Sequence, residues 1–585
     1  YWLDGGELSA AAVSLGISHP PGHPLAALVG QAFTWIPLGP LSLRVALGSA
    51  FMVGLASGLL YAAIERTVAV AGVRWARMSV PLALSATWLV ALSWGWWFQA
   101  VRPEVYALQA ALVMLVVERV SALEARWPAA DVRPLYVASF ALGLALANHH
   151  FLALLTLPAM APTLARVARD VGVRSLLRCG GAVAAGLATY VYLPVRAAAD
   201  PWLELGDPTT AERFVWVVSA ETFQKSASGE APQPLWERFA DVGVHAVTDL
   251  HWATPLVALA GLYALLRVPG SRRLGLLWGL LLAVFVAARS WLGFVRSNPD
   301  ALGYLMPAYG ALAALGAAFV AGVLRFLGAA DVTRARWIPT VLAVATLGVV
   351  AWQIPRSAER SSLASFTATD AFDTPLRREL PPRAVVIAHA PQTIFRYWGG
   401  EAAEHIRPDV TLVPVPMLPY PGMTDGLVER DPALAPVLRG YFLEGELRLP
   451  DLQSLAAERP VLVELDPRVA PELHETLVPS DLYHEVLADG ATEGDEQLGA
   501  ESQWRAWREL YALLGPGPYE PGTRDRLLWT HFNHALYFAS FGDRDDALRA
   551  VRMALRINPE ERRVRALRRA LKKGEGPIDV RPFLP

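Results

Sequence analysis

Long apolar runs recur through the first 355 residues and constrain the fold more than any other feature of the sequence. A helix needs about 20 mostly apolar residues to cross a bilayer, and runs of roughly this length predict about ten membrane spans. The runs are Leu43–Ile64, Val80–Phe98, Val105–Val120, Leu135–Asn148, Phe151–Val167, Leu177–Val195, Trp252–Leu266, Leu274–Ala288, Leu302–Phe326 and Trp337–Ile354. Residues 1–355 are therefore predicted to form a polytopic α-helical membrane domain.

The arginine content of the short loops predicts the orientation of this domain. Five arginine-rich loops alternate with loops that hold mostly lone arginines. The arginines of the rich loops are Arg66, Arg74 and Arg77, then Arg126 and Arg133, then Arg166, Arg169, Arg174 and Arg178, then Arg267, Arg272 and Arg273, then Arg325, Arg334 and Arg336. Because positively charged loops stay in the cytoplasm, we expect the opening segment and everything after Gln353 to face outside. Lysine occurs only three times, a composition typical of a GC-rich bacterial genome, so we expect a bacterial cytoplasmic membrane.

After Ile354 the composition becomes that of an ordinary soluble protein. The stretch "PPRAVVIAHAPQTIFRYWGGEAAEHIRPDVTLVPV" predicts a βαβ unit and "RPVLVELD" predicts a further strand, so we expect an α/β domain over residues 356–515. Two amphipathic segments around "FGDRDD" predict a helical region over residues 516–585 that is similar to one tetratricopeptide unit. A helical hairpin that caps the α/β domain and a partner-binding repeat both fit this region.

Charge and cysteine content exclude several functions. The formal net charge is −2, and nucleic-acid binding needs a basic surface. The single Cys179 excludes internal disulfides and cysteine metal sites. No G-x-G-x-x-G, Walker, H-E-x-x-H or G-x-S-x-G motif occurs. We therefore expect no nucleic-acid partner and no cofactor, although a divalent metal ion stays compatible with the sequence.

The opening segment "YWLDGGELSAAAVSLGISHPPGHPL" places acids and histidines directly before the apolar runs. Asp4 and Glu7 are three residues apart, so both carboxylates share one face of a helix. A carboxylate at a membrane boundary needs a partner, a metal ion or a raised pKa, but the same spacing fits a capping box. The prolines predict two short helices joined by a rigid turn, in which His19 and His23 have either a structural or a binding role.

Four further groups of polar residues lie at the predicted outer ends of the spans. Their candidate binding residues are Arg102, Glu104 and Tyr106 in "VRPEVYALQ", His149 and His150 in "ANHHF", Arg196 in "YLPVRAAADPWLELGDP", and Asn298 and Tyr304 in "RSNPDALGYLMPAY". Each group alone is typical of helix-end anchors or caps. Five groups on one side, with the opening segment included, are better explained by one shared polar cavity.

The opening segment resembles the first outer loop of a bacterial and animal family of membrane proteins long labelled as of unknown function. Its animal member is similar to a transmembrane protein O-mannosyltransferase that acts on plexin-type IPT domains. The stretches "PEVYAL", "LGLALANHHF", "YLPVRAAADPWLELGDPTTAERFVW", "NPDALGYLMPAY" and "LPPRAVVIAHAPQTIFRYW" resemble later motifs of this family in the same order. The chain departs from the family at His389–Phe395, where two acids are absent, and at His23, where the family usually has tyrosine.

The resemblance implies the fold of the GT-C glycosyltransferases, polytopic enzymes that take a sugar from a polyprenyl-phosphate carrier at the outer membrane face. In that superfamily an acid of the first outer loop is the catalytic base, which implies Asp4 as the base and Glu7 as its neighbour. It also implies a span directly before this loop, which we expect upstream of Tyr1. A leaving lipid phosphate needs arginine or a helix N-terminus, so we expect Arg102 or Arg196 to bind it.

The function implied by the resemblance is an inverting transfer of a sugar from the polyprenyl-phosphate donor to a hydroxyl of a protein or glycan acceptor. Two other functions fit the residues. A lipid-carrier or solute transporter or flippase needs polar residues at mid-bilayer depth in several helices, whereas here they cluster at the outer ends. A non-catalytic outer-face scaffold that uses the tail as a binding module leaves the five polar groups unexplained.

Overall fold

The structure is a computed structural model that describes residues 4–71, 76–128, 131–224, 233–292, 298, 300–328, 338–364, 368–465, 477–490, 492–517, 519, 521–574 and 576–583. The chain divides into two compact units. We call Leu8–Leu363 the membrane unit. The tail unit consists of Ala364–Pro585 together with the segment that precedes Leu8.

The chain up to Ser361 is built from helices. They are α1 (Gly5–Ser14), α2 (Pro24–Thr34), α3 (Leu41–Val70), α4 (Ala76–Ala91), α5 (Trp94–Ala100), α6 (Val105–Ala125), α7 (Arg133–Leu154), α8 (Leu157–Asp170), α9 (Val173–Leu187), α10 (Tyr192–Ala197), α11 (Ala211–Val218), α12 (Leu235–Asp249), α13 (Thr254–Arg267), α14 (Arg272–Trp291), α15 (Asp300–Gly328) and α16 (Ile338–Ser361). The two short helices predicted around the proline-rich turn are therefore present, as α1 and α2.

Among the described residues, seven helices are long and apolar enough to cross a membrane, and the number rises to nine if each of two bent pairs is one span. The seven are Leu41–Val70, Val105–Ala125, Arg133–Leu154, Val173–Ala197, Arg272–Trp291, Asp300–Phe326 and Thr340–Ser361. The bent pairs are Met78–Ala91 with Trp94–Ala100, at 68°, and Leu235–Asp249 with Thr254–Arg267, at 99°.

The sequence predicts about ten spans, and the structure has nine when the bent pairs are counted. The predicted span without a counterpart is Phe151–Val167. The preceding helix α7 continues to Leu154, and the rest of the run forms α8, which has 14 residues with Pro162 inside it. At 1.5 Å per residue such a helix is about 21 Å long, less than the roughly 30 Å of a hydrocarbon core. Trp337, the predicted start of the last span, lies outside the described residues.

Helix α6 is the most enclosed of the seven long helices, with 83% of its apolar window buried. It packs against α3 and α7, as expected for a helix whose middle, from Ala110 to Val117, is apolar on every face. Small residues bring neighbouring helices close together. At Gly143 in α7, for example, an added Cβ would lie 2.2 Å from the carbonyl oxygen of Val183 in α9, so this contact requires glycine.

The tail unit contains a five-stranded sheet with helices packed around it. Its elements are α17 (Ala368–Glu379), β1 (Val385–Ala388), α18 (Pro391–Glu404), β2 (Thr411–Pro414), α19 (Met423–Arg430), α20 (Ala435–Glu444), α21 (Leu449–Ala456), β3 (Val461–Val463), β4 (Leu477–Ser480), β5 (Tyr483–Val486), α22 (Glu493–Leu514), α23 (Pro521–Phe541), α24 (Arg544–Ile557) and α25 (Arg562–Lys573). The strand order is β2-β1-β3-β5-β4, with β2, β1 and β3 parallel and β5 antiparallel to both neighbours. The predicted βαβ unit is β1–α18–β2, and "RPVLVELD" contains β3.

The unit boundaries differ from the predicted domain limits at 355 and 515. The apolar run ends at Ile354, but helix α16 continues through the polar residues that follow to Ser361, with Pro355 inside it. Residues on both sides of 515 share one core, which contains Trp507 from α22, Phe532 from α23 and Leu477 from β4. The helical region therefore packs on the α/β region as part of one unit.

Candidate functional site

The opening segment begins a helix with its two acids at the helix start. Asp4 directly precedes α1 and is half-buried, and Glu7 lies in the first turn and is fully buried. Backbone N–H groups at a helix start favour negative charge. Gly6 lies between the acids, and an added Cβ there would be 2.2 Å from the carbonyl oxygen of Phe395 in α18. The first turn of α1 thus rests on the backbone of α18, and this contact requires glycine.

The turn after α1 presents two histidines. Gly22 and His23 have positive φ angles of 84° and 40°, and the Gly22 N–H donates to the carbonyl oxygen of His19. His23 is buried, and its Nδ1 lies 2.6 Å from the carbonyl oxygen of Asn148 in α7. Because a carbonyl can only accept, Nδ1 carries the proton. Burial, reinforced by the rings of His19 and His149, holds the pKa of His23 well below its usual value, so the imidazole is neutral.

A cluster of rings surrounds His149. The backbone of α7 leaves the helical conformation at this residue, with φ −153° and ψ 88°. Its Nε2 lies 3.3 Å from the hydroxyl oxygen of Tyr304. The centroid of the His149 ring lies 5.9 Å from the ring centroid of Tyr106, 5.6 Å from that of Tyr304, 6.2 Å from that of His23 and 6.5 Å from that of His150. We call His23, Tyr106, His149, His150 and Tyr304 the ring cluster.

Arg102 is at the centre of a buried charge network in the turn between α5 and α6. Its Nη1 donates to Oε1 of Glu104 at 3.1 Å, and its Nη2 donates to Asp300 and, at 3.2 Å, to Oε1 of Gln99. Burial alone would lower the pKa of Arg102, but the carboxylates of Asp300 and Glu104 raise it above its usual value. Asn298 supports the network from one side, because its Oδ1 accepts from the Asp300 N–H at 2.9 Å.

The ring cluster and the charge network are neighbours. Tyr106 belongs to the cluster and lies within electrostatic range of Arg102. A cavity of about 40 Å³, large enough for water, is lined by His23 and Glu104 together with Ser18 and Ser49. Sequence analysis therefore selected residues that the membrane unit brings together from the turns before α2 and α6, the start of α6, the end of α7 and the start of α15.

Arg196 has a different position. Its Nε donates to the carbonyl oxygen of Leu15 at 2.7 Å, and its Nη2 lies 3.4 Å from the carbonyl oxygen of Ser14. These are carbonyls at the end of α1, where intrahelical donors are missing. The hydroxyl of Tyr192 donates to the carbonyl oxygen of Gly16 in the same place. Arg196 therefore caps the helix that carries the opening segment.

Sequence analysis missed two buried residues of this region. Asn148 accepts from His23, and its Nδ2 donates to the carbonyl oxygen of Val105 at 3.1 Å. Arg289, near the end of α14, is 1% exposed and lies within electrostatic range of Asp241 and Tyr304. The signal for Arg289 was present in the sequence, since an ionisable residue inside an apolar span indicates function by default.

The tail block that departs from the family also forms a defined site. The backbone N–H groups of His389 and Ala390 donate to Oε2 of Glu464 at 2.8 Å each, and the Thr393 hydroxyl donates to Oε1 at 2.9 Å. Arg526 forms an ion pair with the same carboxylate. Across the described ranges, no three His, Cys, Asp or Glu side chains are placed to hold a metal ion.

Comparison with known proteins relates the chain to one family. Residues 4–170 match the family model described as the protein O-mannosyl-transferase TMEM260 N-terminal domain. The chain is also 26% identical over 442 residues to the protein O-mannosyl-transferase TMEM260 of Mus musculus, an alignment that covers 71% of this chain and 60% of that protein. The chain is similar to the proteins of this family. The predicted resemblance is thereby confirmed, while the chain spans about 60% of the length of the curated relative that it matches.

The stretch that matches the TMEM260 N-terminal domain contains most of the candidate site. It includes Asp4, Glu7, His19, His23, Arg102, Glu104, Tyr106, His149 and His150, whereas Arg196, Asn298 and Tyr304 follow it. Among solved structures, ArnT from Cupriavidus metallidurans in the apo state matches with a TM-score of 0.52 and 14% identity, over 84% of this chain and 94% of that chain. The structure of the same protein bound to undecaprenyl phosphate gives a TM-score of 0.49 and 14% identity, over 83% and 92%. The apo match confirms the predicted GT-C-like fold.

Proposed function

We propose that the chain is an inverting membrane glycosyltransferase that moves a sugar from a polyprenyl-phosphate donor to a hydroxyl of a protein at the outer face of the membrane. The name of the TMEM260 relative supports mannose as the sugar and protein as the acceptor. The predicted resemblance to GT-C enzymes supports the polyprenyl-phosphate donor. The glycan acceptor that the sequence also allows is the second candidate.

The ring cluster is the observation on which this proposal depends most. It places imidazole and phenol groups at the start of α6, the end of α7, the start of α15 and the turn before α2. With Nδ1 of His23 committed to Asn148, the remaining ring nitrogen can accept a hydrogen bond but carries no charge. Neutral donors and acceptors beside aromatic rings suit the hydroxyl groups of a sugar.

In the proposed reaction the Asp4 carboxylate takes the proton from the acceptor hydroxyl as its oxygen attacks the anomeric carbon. The bond between that carbon and the donor phosphate oxygen breaks, and its electron pair leaves with the polyprenyl phosphate. Attack opposite to the departing phosphate inverts the anomeric centre. Glu7, which is buried in the first turn of α1, is proposed to fix the position of this segment.

The negative charge that develops on the phosphate needs a cation. Arg102 and Arg196 stay the predicted residues, and both also have protein partners, two carboxylates for Arg102 and helix-end carbonyls for Arg196. Arg289 is a third candidate, because it lies near Tyr304 of the ring cluster. We propose that one of these three guanidiniums contacts the leaving phosphate, and that Arg102 also holds Glu104 and Asp300 in place.

The polar residues of α6 argue against the transporter alternative. Tyr106 lies in the first turn, while the middle of the helix from Ala110 to Val117 contains only apolar residues. Towards the other end, Glu118 pairs with Arg66 and Arg119, and Glu124 pairs with Arg166. Arginines therefore neutralise both of these acids in place. A permeation path needs polar groups between the two ends.

The direct test uses the purified chain in detergent, a polyprenyl-phosphate donor with radiolabelled mannose, and a folded acceptor protein with exposed serine and threonine residues. We expect label to enter the protein fraction as an alkali-labile linkage. Movement of the labelled lipid across reconstituted vesicles without transfer to protein would support the flippase instead.

A further inference from the structure

A second polar cavity lies in the tail unit, where α22, α23 and α24 enclose a groove of about 960 Å³. Its lining combines arginines with aromatic residues. The arginines are Arg508, Arg524, Arg549, Arg552 and Arg556, and the aromatic residues are Trp504, Trp507, Tyr511 and Tyr519. No residue of this groove belongs to the proposed transfer site.

The tryptophans form the floor of the groove and are not available for stacking. Trp504 is 6% exposed, and the guanidinium of Arg549 lies 4.0 Å from its ring centroid. Trp507 is 2% exposed and stacks on His531 at 3.7 Å. The groups of the groove that remain for recognition are the guanidiniums and the partly exposed rings of Tyr511 and Tyr519, and of these only the guanidiniums are charged.

Four of the five arginines keep their charge available. Arg549 lies 4.0 Å from the carboxylate of Asp546 and is partly compensated. Arg508, Arg524, Arg552 and Arg556 are exposed, and within the described part of the chain none of them forms a salt bridge, although Arg524 lies within electrostatic range of Asp525. A concave surface with this excess of positive charge attracts anions, and guanidinium groups bind carboxylates with two parallel hydrogen bonds.

The spacing of the arginines indicates the shape of the ligand. Arg552 and Arg556 are four residues apart on α24, which separates them by about 6 Å along the helix axis. Side chains on one face of an extended polypeptide are separated by about 6.6 Å. Acids at alternate positions of an extended chain therefore match these two arginines, and Arg508 and Arg524 face them from α22 and α23.

We propose that this groove binds an extended acidic polypeptide segment through the side chains of Arg508, Arg524, Arg552 and Arg556. A bilayer surface is too broad to enter the groove, and the two buried tryptophans offer no stacking face to an anionic glycan. The proposal is independent of the transfer reaction, and its test needs no sugar donor.

The test measures binding of a short fluorescent peptide that alternates glutamate and glycine to the full chain in uncharged detergent. We expect binding that weakens with added salt and that is lost when glutamine replaces glutamate in the peptide. The variant Arg552→Gln/Arg556→Gln should weaken binding by at least about tenfold. The matched control Arg563→Gln/Arg569→Gln removes the same charge from exposed positions of α25 outside the groove and should bind normally.

Three results would overturn the proposal. The first is equal affinity of the groove variant and the wild type, with unchanged melting temperatures. The second is an equal loss in the α25 control, which indicates attraction to net charge alone. The third is displacement of the peptide by phosphatidylglycerol vesicles or oligogalacturonate at lower concentration than by unlabelled peptide, which assigns the groove to a membrane surface or an anionic glycan.

Discussion

Nδ1 of His23 donates to the carbonyl oxygen of Asn148 at 2.6 Å, across 125 residues of sequence. This hydrogen bond ties the turn before α2 to the end of α7, one residue before the helix breaks at His149. It fixes the tautomer of the His23 ring and links His23 to the part of α7 that carries His149.

Removal of this hydrogen bond should destabilise the membrane unit locally. His23→Ala leaves a buried carbonyl without its donor, which costs about 1–3 kcal/mol. Hydrogen exchange of α2 and of the end of α7 measures the loss. His405→Ala is the matched control, because His405 has a similar φ of 53° but is exposed. An equal loss of exchange protection around His405 would show that the effect comes from the backbone conformation and not from the hydrogen bond.

The Arg102 network should contribute far more to stability than a surface pair. Arg102→Met leaves the buried carboxylate of Glu104 and the partly buried carboxylate of Asp300 without their cation, at a cost of about 3–5 kcal/mol. Arg133→Met removes one partner of an exposed pair with Asp131, which should cost less than about 1 kcal/mol. Denaturant unfolding of the detergent-solubilised variants compares the two. An equally small loss of unfolding free energy in both variants would contradict a structural role for Arg102.

Sequence patterns predicted the elements well and their contacts less well. The apolar runs located the spans because length and composition decide what crosses a bilayer. Phe151–Val167 failed because an apolar run does not show that α7 continues to Leu154 and that a new helix begins at Leu157. The candidate residues were found from their position at helix ends. The hydrogen bond between His23 and Asn148 was not predicted, since no local pattern indicates contacts between residues so distant in sequence.

Glu464 gives the tail unit a specific pH dependence. Burial raises the pKa of this carboxyl, but Arg526 and the N–H groups of Ala390 and His389 outweigh burial, and the pKa lies below its usual value. A carboxyl with a lowered folded-state pKa stabilises the fold above its unfolded pKa of about 4.3, and this contribution is lost as pH falls through the folded pKa.

Glu464→Gln should therefore destabilise β1 and α18 by about 3 kcal/mol at neutral pH, and the difference from wild type should shrink below about pH 4. Hydrogen exchange of the peptides around His389 measures it across pH. The exposed Glu429→Gln is the control and should match wild type. A difference that grows on acidification would contradict the assigned role of Glu464.

Arginine alternation predicts that the tail unit faces outside the cytoplasm. The chain has one cysteine, the buried Cys179, so Cys179→Ser gives a background for labelling. A membrane-impermeant maleimide added to intact cells should label Ser454→Cys in the tail unit and not Gly270→Cys in an arginine-rich loop. The reverse pattern would place the proposed transfer on the wrong side for an outer-face donor.

The central claim, that Asp4 is the base of a sugar transfer, is tested most directly by Asp4→Asn. Asparagine caps a helix about as well as aspartate but cannot accept the proton. The purified variant is compared with wild type for mannose transfer from the polyprenyl-phosphate donor to protein, together with its melting temperature. The account predicts an unchanged melting temperature and a rate about 10²–10⁴-fold lower. Transfer at nearly the wild-type rate would contradict it and leave Asp4 as a helix cap.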